Sequence, residues 1–314
     1  MAFEIKENIP LAPYTIYKIG GAARFFAEVK NADELEEAVR FAAEKSVPFF
    51  VMGAGSNILV ADTGFQGMII RMTDGTIRVE EEKMTVDAGV AMARAAAESA
   101  RAGLAGFAWA VGVPGTIGGS VRGNAGCFGR EMKDVVDSVM IFDTVKKATC
   151  RMSHVACRFA YRDSIFKRHP EWIVISATLA LAPGNSILIQ EEIRRTSSER
   201  AAKQDIGSKS CGCVFKNPSW NEVQMAKEAL IVHFPELAEF ARQDRIPAAF
   251  LIDRAGLKGM RAGYIVISQK HGNFFLNEGG GTAEDVVKLA AMAQDAVFKK
   301  YGIRLTEEIQ RVGF

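Results

Sequence analysis

The chain lacks the long apolar segment that a membrane span requires. None of its uninterrupted apolar runs approaches the roughly 18 residues of a spanning helix, and residues 1–15 have no apolar core after their charges. The 39 lysines and arginines nearly balance the 37 aspartates and glutamates, so the sequence offers no broad basic face for nucleic acid. The composition predicts a globular cytoplasmic protein that binds neither nucleic acid nor a membrane.

Cysteine and histidine are scarce. The cysteines make an odd count, which predicts free thiols and not a disulfide framework, and they are Cys127, Cys150, Cys157, Cys211 and Cys213. The last two alone are too few for a zinc site. The four histidines show no metal-binding spacing such as His-Glu-x-x-His, so the sequence predicts no metal.

Two familiar phosphate-binding motifs are also missing. Gly53 and Gly55 follow a predicted strand, but Ile58 stands where Gly-x-Gly-x-x-Gly needs its third glycine. The chain has no Gly-x-x-x-x-Gly-Lys-Ser/Thr sequence either. These absences exclude a Rossmann-type dinucleotide site and a P-loop.

Instead, the chain has a dense run of glycine. Nine glycines fall between Gly103 and Gly129, and the shorter motif Gly-Ala-Gly-Ser-Asn occupies residues 53–57. Glycine is retained where the main chain turns with positive φ or lies against a ligand, so both segments can present N–H groups to a pyrophosphate. Residues 53–57 alone would favour a tight turn. Together the two segments favour a dinucleotide cofactor, bound by loops between strands and not by a helix start.

Strand and helix patterns alternate without internal repeats, and the length suffices for two domains. Ser219 and Glu222 are expected to cap a short helix. The other predicted elements, in chain order, are a helix at 31–44, strands at 49–52, 58–60, 67–72 and 84–88, a helix at 91–102, strands at 135–142 and 172–181, helices at 186–204 and 282–301, and a last strand at 303–312.

Seven motifs occur in order along nearly the whole chain. They are KIGGAARFF, VMGAGSNILVADTGFQGMIIRM, AGVPGTIGGSVRGNAGCFG, YRDSIFK, GCVFKNP, AAFLIDRAGLKG and LTEEIQRVG. Each motif alone is weak. In this order and spacing they resemble the UDP-N-acetylenolpyruvoylglucosamine reductases, also called UDP-N-acetylmuramate dehydrogenases.

The resemblance implies an α+β fold with two domains. Residues 1–205, with a core at about 14–183, would form an FAD-binding domain of the vanillyl-alcohol-oxidase (PCMH) type. Residues 206–314 would form a smaller α+β substrate-binding domain, with the strand at 303–312 returning to the active site. The implied reaction is the NADPH-dependent reduction of UDP-N-acetylglucosamine enolpyruvate to UDP-N-acetylmuramate through bound FAD, in peptidoglycan precursor synthesis. Ping-pong kinetics and a monomer are expected.

Reduction of a vinyl ether that carries a carboxylate needs a cation, a polarising group and an acid. By resemblance, Arg162 in Tyr-Arg-Asp-Ser is the cation, and a guanidinium suits this task because it holds a carboxylate bidentately and stays charged. From the residues alone, an ion pair with Asp163 or a solvated turn is favoured for this arginine.

Glu308, the second acid of Leu-Thr-Glu-Glu-Ile-Gln, matches the family's glutamate. It would lie with Arg162 at the substrate carboxylate, with a raised pKa, and would polarise the carboxyl group. The alternative is an exposed acid on an edge strand. Glu307 is rejected for this role because adjacent side chains of a strand point to opposite faces.

Cys213 departs from the common family pattern, in which serine is the proton donor in Gly-Ser-x-Phe-Lys-Asn-Pro. A thiol, with an ordinary pKa of about 8.5, releases its proton more readily than a hydroxyl, so the change preserves the role. The alternative is a buried thiol that acts as a small hydrophobe, which is the commoner case. The motif position favours catalysis.

The remaining predicted contacts are with the substrate and with FAD. Lysine suits phosphate as a point charge, although surface lysines are abundant. The predicted substrate contacts are Tyr161, which is also expected near the flavin or nicotinamide, Lys216, Asn217 and Lys258. The predicted FAD contacts are Gly53, Ala54, Gly55, Ser56, Asn57, Gly112, Pro114, Gly115, Gly118, Gly119, Asn124, Ala125 and Gly126.

Two other functions fit parts of the sequence. A flavoprotein oxidase of the same cofactor fold would share the glycine segments but need not contain the YRDS, GCVFKNP and LTEEIQ motifs. A non-catalytic protein would bind the UDP-sugar without turnover. NADPH reduction of the flavin, followed by reoxidation with the enolpyruvyl substrate, separates these hypotheses.

Overall fold

A computed structural model describes residues 4–314 of the chain. Its strands are β1 (Ile5–Pro10), β2 (Ala22–Val29), β3 (Phe49–Met52), β4 (Ile58–Val60), β5 (Phe65–Met72), β6 (Ile77–Glu80), β7 (Lys83–Asp87), β8 (Leu104–Ala105), β9 (Gly126–Cys127), β10 (Arg130–Glu131), β11 (Val136–Asp143), β12 (Ala148–Ser153), β13 (Trp172–Ala180), β14 (Ala182–Pro183), β15 (Arg261–Ala262), β16 (Ile265–Ile267), β17 (Phe275–Asn277) and β18 (Gln310–Val312). Its α-helices are α1 (Ala32–Glu44), α2 (Met92–Arg101), α3 (Ile117–Gly123), α4 (Ile165–Arg168), α5 (Ser186–Lys203), α6 (Lys227–His233), α7 (Ala248–Arg254) and α8 (Ala283–Tyr301). Within these residues, none of the helices has both the length and the apolar character needed to cross a bilayer.

The chain folds into two compact units, each assembled from separate segments. The first contains residues 4–10, Ala22–Gly55 and Phe65–Ala202. The second contains Leu11–Gly21, Ser56–Gly64 and Lys203–Phe314. The single division expected from the sequence, at 205/206, does not describe this interleaving, because the buried side chains of Tyr17, Ile19 and Leu59 belong to the second unit's core.

The first unit contains a mixed sheet and an antiparallel sheet. In the mixed sheet, ordered β1-β2-β5-β3, β1 is antiparallel to β2, whereas β2, β5 and β3 are parallel. The antiparallel sheet has the order β12-β11-β13-β7-β6. Helix α1 connects β2 to β3, and the Asn31 side chain caps it by accepting the Glu34 N–H.

One apolar core serves both sheets of the first unit. It contains Met68 and Ile70 of the mixed sheet together with Val86 and Val139 of the antiparallel sheet, all fully buried. Ala95 and Ala96 of α2 also belong to this core, and their small side chains permit close helix packing. This shared core fixes the loops at the strand ends, where the glycine segments lie.

The second unit is built around α8 and a small antiparallel sheet, ordered β15-β16-β17. Thr282 and Asp285 form a reciprocal capping box at the start of α8, and Gly302 ends it with a positive φ of 66°. The buried stripe includes Val286, Leu289, Ala293 and Val297, as predicted. Strand β4 pairs in parallel with β18, so the residues after the Gly-Ala-Gly-Ser-Asn motif lie beside the end of the chain.

Two sequence predictions of local structure are wrong. The last strand covers Gln310–Val312 and not 303–312, because Ile303 and Leu305 pack into the core from irregular backbone. The long glycine segment does contain a helix start, since α3 begins at Ile117 despite three glycines in its seven residues. Tertiary hydrogen bonds hold this helix: the N–H groups of Ile117 and Gly118 donate to the carbonyls of Val90 and Ala88, each at 2.9 Å.

Replacing Thr282 with alanine removes the oxygen that accepts the Asp285 N–H at 3.1 Å. Loss of such a cap is expected to lower the free energy of unfolding by about 1 kcal/mol, measured by urea denaturation. The control is Thr282→Ser, which keeps the hydroxyl and is expected to stay near the wild-type value. A T282A midpoint equal to that of the wild type would contradict the assigned cap.

Candidate active site

A cavity of about 640 Å³ lies within the first unit and is bordered by both glycine segments. Gly53 lines it from the shorter segment, and Thr116, Gly118 and Gly119 line it from the longer one. Its other walls are mostly apolar and come from α1, β3 and β13. This volume falls in the range of about 300–1,000 Å³ that is typical of sites for small molecules and cofactors.

The two glycine segments touch so closely that a side chain at Gly53 does not fit. A Cβ atom there would lie 2.2 Å from Thr116 Oγ1 and 3.1 Å from Thr116 Cγ2. A similar constraint applies at Gly118, where a Cβ would lie 2.8 Å from the Ala88 Cβ. Glycine at these positions therefore allows the backbone itself to form the cavity wall.

Arg122 is a cavity-lining cation that the sequence analysis did not select. Burial lowers the pKa of its guanidinium, and the nearby carboxylate of Asp163 opposes this shift. An arginine stays charged under such conditions, so it places positive charge at a mostly apolar cavity whose lining also includes Glu171. The only signal in the sequence was a basic residue inside the glycine segment. The combination of glycine walls, apolar surface and a partly desolvated cation fits FAD, whose diphosphate is anionic.

The predicted FAD contacts are distributed over both units. Gly53, Ala54 and Gly55 belong to the first unit, and so do all the predicted contacts from Gly112 to Gly126. Ser56 and Asn57 belong to the second unit. There, Asn57 donates through Nδ2 to the Glu308 carbonyl at 3.2 Å and accepts the Gln310 N–H at 3.0 Å. Asn57 thus fixes the backbone on both sides of Ile309.

Arg162 occupies a tight turn in the first unit. Ala160 and Asp163 close the turn by exchanging two backbone hydrogen bonds, of 3.0 and 3.1 Å. Arg162 itself has a φ of 51°, in the left-handed region. This conformation costs a non-glycine residue on the order of 1 kcal/mol, and such strain is concentrated at functional sites.

The Arg162 guanidinium is directed to the long glycine segment. Its Nη2 donates to the Gly126 carbonyl at 2.9 Å, its Nη1 lies 3.7 Å from Glu131 Oε1, and its Cζ lies 5.2 Å from the centre of the Tyr161 ring. Asp163, the partner considered for this arginine from the residues alone, has its Oδ2 atom 3.9 Å from Arg168 Nη2. The structure thus brings Tyr161, Arg162 and Gly126 together.

Cys213 and Glu308 lie on two paired segments of the second unit. The Glu308 N–H donates to the Val214 carbonyl at 2.8 Å, and the Lys216 N–H donates to the Thr306 carbonyl at 2.9 Å. Cys213, which is half-buried, also pairs with Phe274 in an isolated bridge. The pairing brings the sequence-distant motifs GCVFKNP and LTEEIQ to one place.

The buried thiol of Cys211 lies within electrostatic range of Cys213, Glu307 and Glu308. Burial raises the pKa of its thiol well above the ordinary value, and Cys213, Glu308 and Glu307 raise it further. Cys211 therefore stays a neutral thiol, while Cys213 is the more exposed of the pair. The Glu307 carboxylate is paired with Arg311, whose Nε donates a 2.9 Å hydrogen bond to it.

The predicted substrate contacts of the second unit also have partners within the protein. Asn217 Oδ1 accepts the N–H of Ala248 at 3.0 Å, at the first residue of α7. Lys258 Nζ lies 2.8 Å from Asp253 Oδ2. Asp253 thus offsets part of the Lys258 charge, whereas Lys216 follows Cys213 in the same paired segment.

Comparisons with known proteins place this chain among its relatives. A sequence model of the UDP-N-acetylenolpyruvoylglucosamine reductase C-terminal domain matches residues 204–312, and a model of an FAD binding domain matches residues 23–148. A UDP-N-acetylenolpyruvoylglucosamine reductase of Synechococcus sp. (strain JA-3-3Ab) is 35% identical over 312 residues, which are 98% of this chain and 91% of that protein. The chain belongs to the UDP-N-acetylenolpyruvoylglucosamine reductase family.

Other relatives support the same assignment. The reductase of Carboxydothermus hydrogenoformans is 36% identical over 315 residues, covering 98% of this chain and 94% of that protein. The crystal structure of the UDP-N-acetylenolpyruvylglucosamine reductase (MurB) from Thermus caldophilus covers 99% of each chain with a TM-score of 0.76 and 30% identity. The predicted family is confirmed, and so is the predicted α+β fold with an FAD-binding domain.

Replacing Gly53 with alanine is expected to weaken FAD binding, because the new Cβ would clash with Thr116 at 2.2 Å. Relief of this clash requires the cavity wall to move away from the geometry that binds FAD, and we expect about a 5- to 150-fold loss of affinity (roughly 1–3 kcal/mol), measured by titrating apoprotein with FAD. The control is Gly123→Ala in α3, where a Cβ meets no atom within 4 Å. In the double variant G53A/T116A the clash is relieved, and part of the affinity should return. Wild-type affinity in G53A would contradict the assignment of this cavity to FAD.

Proposed function

We propose that this chain catalyses the NADPH-dependent reduction of UDP-N-acetylglucosamine enolpyruvate to UDP-N-acetylmuramate with bound FAD. The observation that carries this proposal is the 35% identity to a reductase of this name over 98% of the chain. The cavity bordered by both glycine segments supports it independently. The reaction is a step of peptidoglycan precursor synthesis, and its partners are a nucleotide sugar and NADPH. The cytoplasmic location and the monomeric state remain predictions.

The cofactor cavity has two tasks in this proposal. Its glycine walls, at Gly53, Gly118 and Gly119, let the backbone approach the cofactor, and Arg122 offsets the negative charge of the diphosphate. FAD, when bound, supplies the acceptor for the hydride of NADPH and the donor to the enolpyruvyl group. The protein contributes orientation and charge.

Arg162 is proposed to hold the substrate carboxylate. Its guanidinium is planar and permanently charged, so it suits bidentate binding of a carboxylate, and the Gly126 carbonyl fixes its orientation by accepting from Nη2. The positive charge stabilises the negative charge that develops on the carboxylate and its neighbouring carbon when the terminal carbon receives hydride. Tyr161, which packs against this guanidinium, is proposed to contact the substrate beside it.

Cys213 is proposed to protonate the carbon next to the carboxylate. It is half-buried, its thiol carries a transferable proton, and its backbone is fixed by pairing with Phe274. Glu308, whose charge helps to raise the pKa of the Cys211 thiol, is proposed to polarise the substrate carboxyl group. Cys211 stays neutral beside them and adds no charge that would oppose the developing carbanion.

Lys216, Asn217 and Lys258 are proposed contacts of the diphosphate or the uridine. Lys216 belongs to the same paired segment as Cys213, so it is the first choice. The Asn217 side-chain oxygen already holds the start of α7, and Lys258 is paired with Asp253. We expect smaller effects from substitution of Lys258 than of Lys216.

The experiment that tests the function is a pair of anaerobic half-reactions. NADPH should bleach the yellow protein, and the enolpyruvyl nucleotide should then restore the flavin absorbance and yield UDP-N-acetylmuramate. The comparisons do not favour an oxidase or a non-catalytic protein. Reoxidation by oxygen alone, with no response to the enolpyruvyl nucleotide, would contradict the proposal in favour of an oxidase. A flavin that NADPH never bleaches would favour a binding protein.

The proton donor can be tested at Cys213. Cys213→Ser should keep much of the activity, because serine can carry the same proton, whereas Cys213→Ala should lose most of it with FAD still bound. The matched control is Cys150→Ala, which removes an exposed thiol of β12 in the first unit and should leave turnover unchanged. The readout is kcat together with the flavin content of each variant. Wild-type turnover in C213A would refute the assignment.

A further inference from the structure

Asn124 is a completely buried side chain inside the long glycine segment. The sequence pattern predicts it as an FAD contact, but its side chain bonds within the protein. Nδ2 donates to the Ala160 carbonyl at 2.8 Å and to Glu131 Oε2 at 3.0 Å, and Oδ1 accepts the Lys133 N–H at 2.9 Å. Both amide hydrogens thus have partners within the first unit.

Both acceptors of the Asn124 amide contact the Arg162 region: Ala160 belongs to its turn, and Glu131 faces its guanidinium. Ala160 is the first residue of the tight turn, and its N–H and carbonyl form the two backbone hydrogen bonds with Asp163. Glu131 is the carboxylate that faces the guanidinium: Oε1 lies 3.7 Å from Arg162 Nη1, while Oε2 accepts from Asn124. One amide therefore fixes both the backbone and the charge partner of the arginine.

Arg162 requires such support for two reasons. Its left-handed backbone, with a φ of 51°, persists only where the surroundings impose it. Its long side chain would also lose roughly 2 kcal/mol of rotamer freedom on being fixed, unless the protein had already fixed it before substrate binding. The Glu131 side chain is only 16% exposed and needs donors of its own, which Asn124 and Lys133 provide.

We propose that Asn124 is a positioning residue for Arg162 and not an FAD ligand. It holds the Ala160 carbonyl and the Glu131 carboxylate, and through them it fixes the guanidinium for the substrate carboxylate. The proposal rests on the role of Arg162 given under the proposed function. It has a specific consequence: Asn124 acts in the half-reaction that uses the enolpyruvyl nucleotide, and neither in FAD binding nor in reduction by NADPH.

The test is stopped-flow kinetics of the FAD-loaded variant Asn124→Ala, with each half-reaction measured separately. We expect its FAD affinity and its rate of flavin reduction by NADPH to stay within about twofold of wild type. Reoxidation by the enolpyruvyl nucleotide should slow by about tenfold or more, a typical cost of misplacing a catalytic group. The matched control is Ser99→Ala, since Ser99 is also fully buried in the first unit and its hydroxyl donates to the Ala96 carbonyl of its own helix. Both half-reactions should be normal in S99A.

A double-mutant cycle shows whether the effect passes through Arg162. In an Arg162→Lys background, Asn124→Ala should slow reoxidation by less than about twofold, because the guanidinium that Asn124 positions is absent. Glu131→Gln provides a second variant if N124A does not fold. It keeps an oxygen for Asn124 but loses the charge facing Arg162, and it should slow the same half-reaction selectively.

Several outcomes would overturn the proposal. Loss of FAD from N124A would make Asn124 a cofactor ligand, and equal slowing of both half-reactions would make its role purely structural. Wild-type reoxidation in either N124A or E131Q, or additive effects with R162K, would show that the network does not position the arginine. Failure of the wild-type protein to respond to the enolpyruvyl nucleotide is a separate result, which would overturn the proposed function and this inference together.

Discussion

The proposed FAD site depends on the contact between the two glycine segments. At Gly53 the space that a side chain would need is taken by Thr116, and at Gly118 it is taken by Ala88. The backbone can form the wall of a 640 Å³ cavity only because these positions lack a Cβ atom. The shared core of the mixed and antiparallel sheets holds the segments in contact, so the packing of the first unit directly determines its binding site.

The proposed chemistry depends on groups that the fold places under different constraints. Arg162 stays charged on a strained turn, and its guanidinium is held by a carbonyl, a carboxylate and an aromatic ring. In the second unit, Cys213 and Glu308 lie on paired segments around a thiol, Cys211, that burial keeps neutral. A fixed cation and a releasable proton are what reduction of an enolpyruvyl ether requires.

Local signals in the sequence were enough for some elements and not for others. Helices α1 and α8 carry their caps in the sequence, at Asn31 and Glu34 and at Thr282 and Asp285, so their starts were predictable. Helix α3 has no such signal, because its three glycines disfavour a helix in the sequence pattern. It is stabilised by hydrogen bonds to the carbonyls of Ala88 and Val90, which are distant in sequence. The motifs identified the family, but neither the left-handed turn at Arg162 nor the burial of Arg122 has a local signal, since both depend on tertiary packing.

FAD is expected to bind in the cavity that the two glycine segments border. A crystal structure of the purified yellow protein would locate the cofactor. We expect flavin nucleotide density in this cavity, with the diphosphate within hydrogen-bond distance of backbone N–H groups of these segments and with Arg122 facing its charge. Flavin density in another part of the molecule, with the cavity filled only by water, would show that these segments do not bind the cofactor.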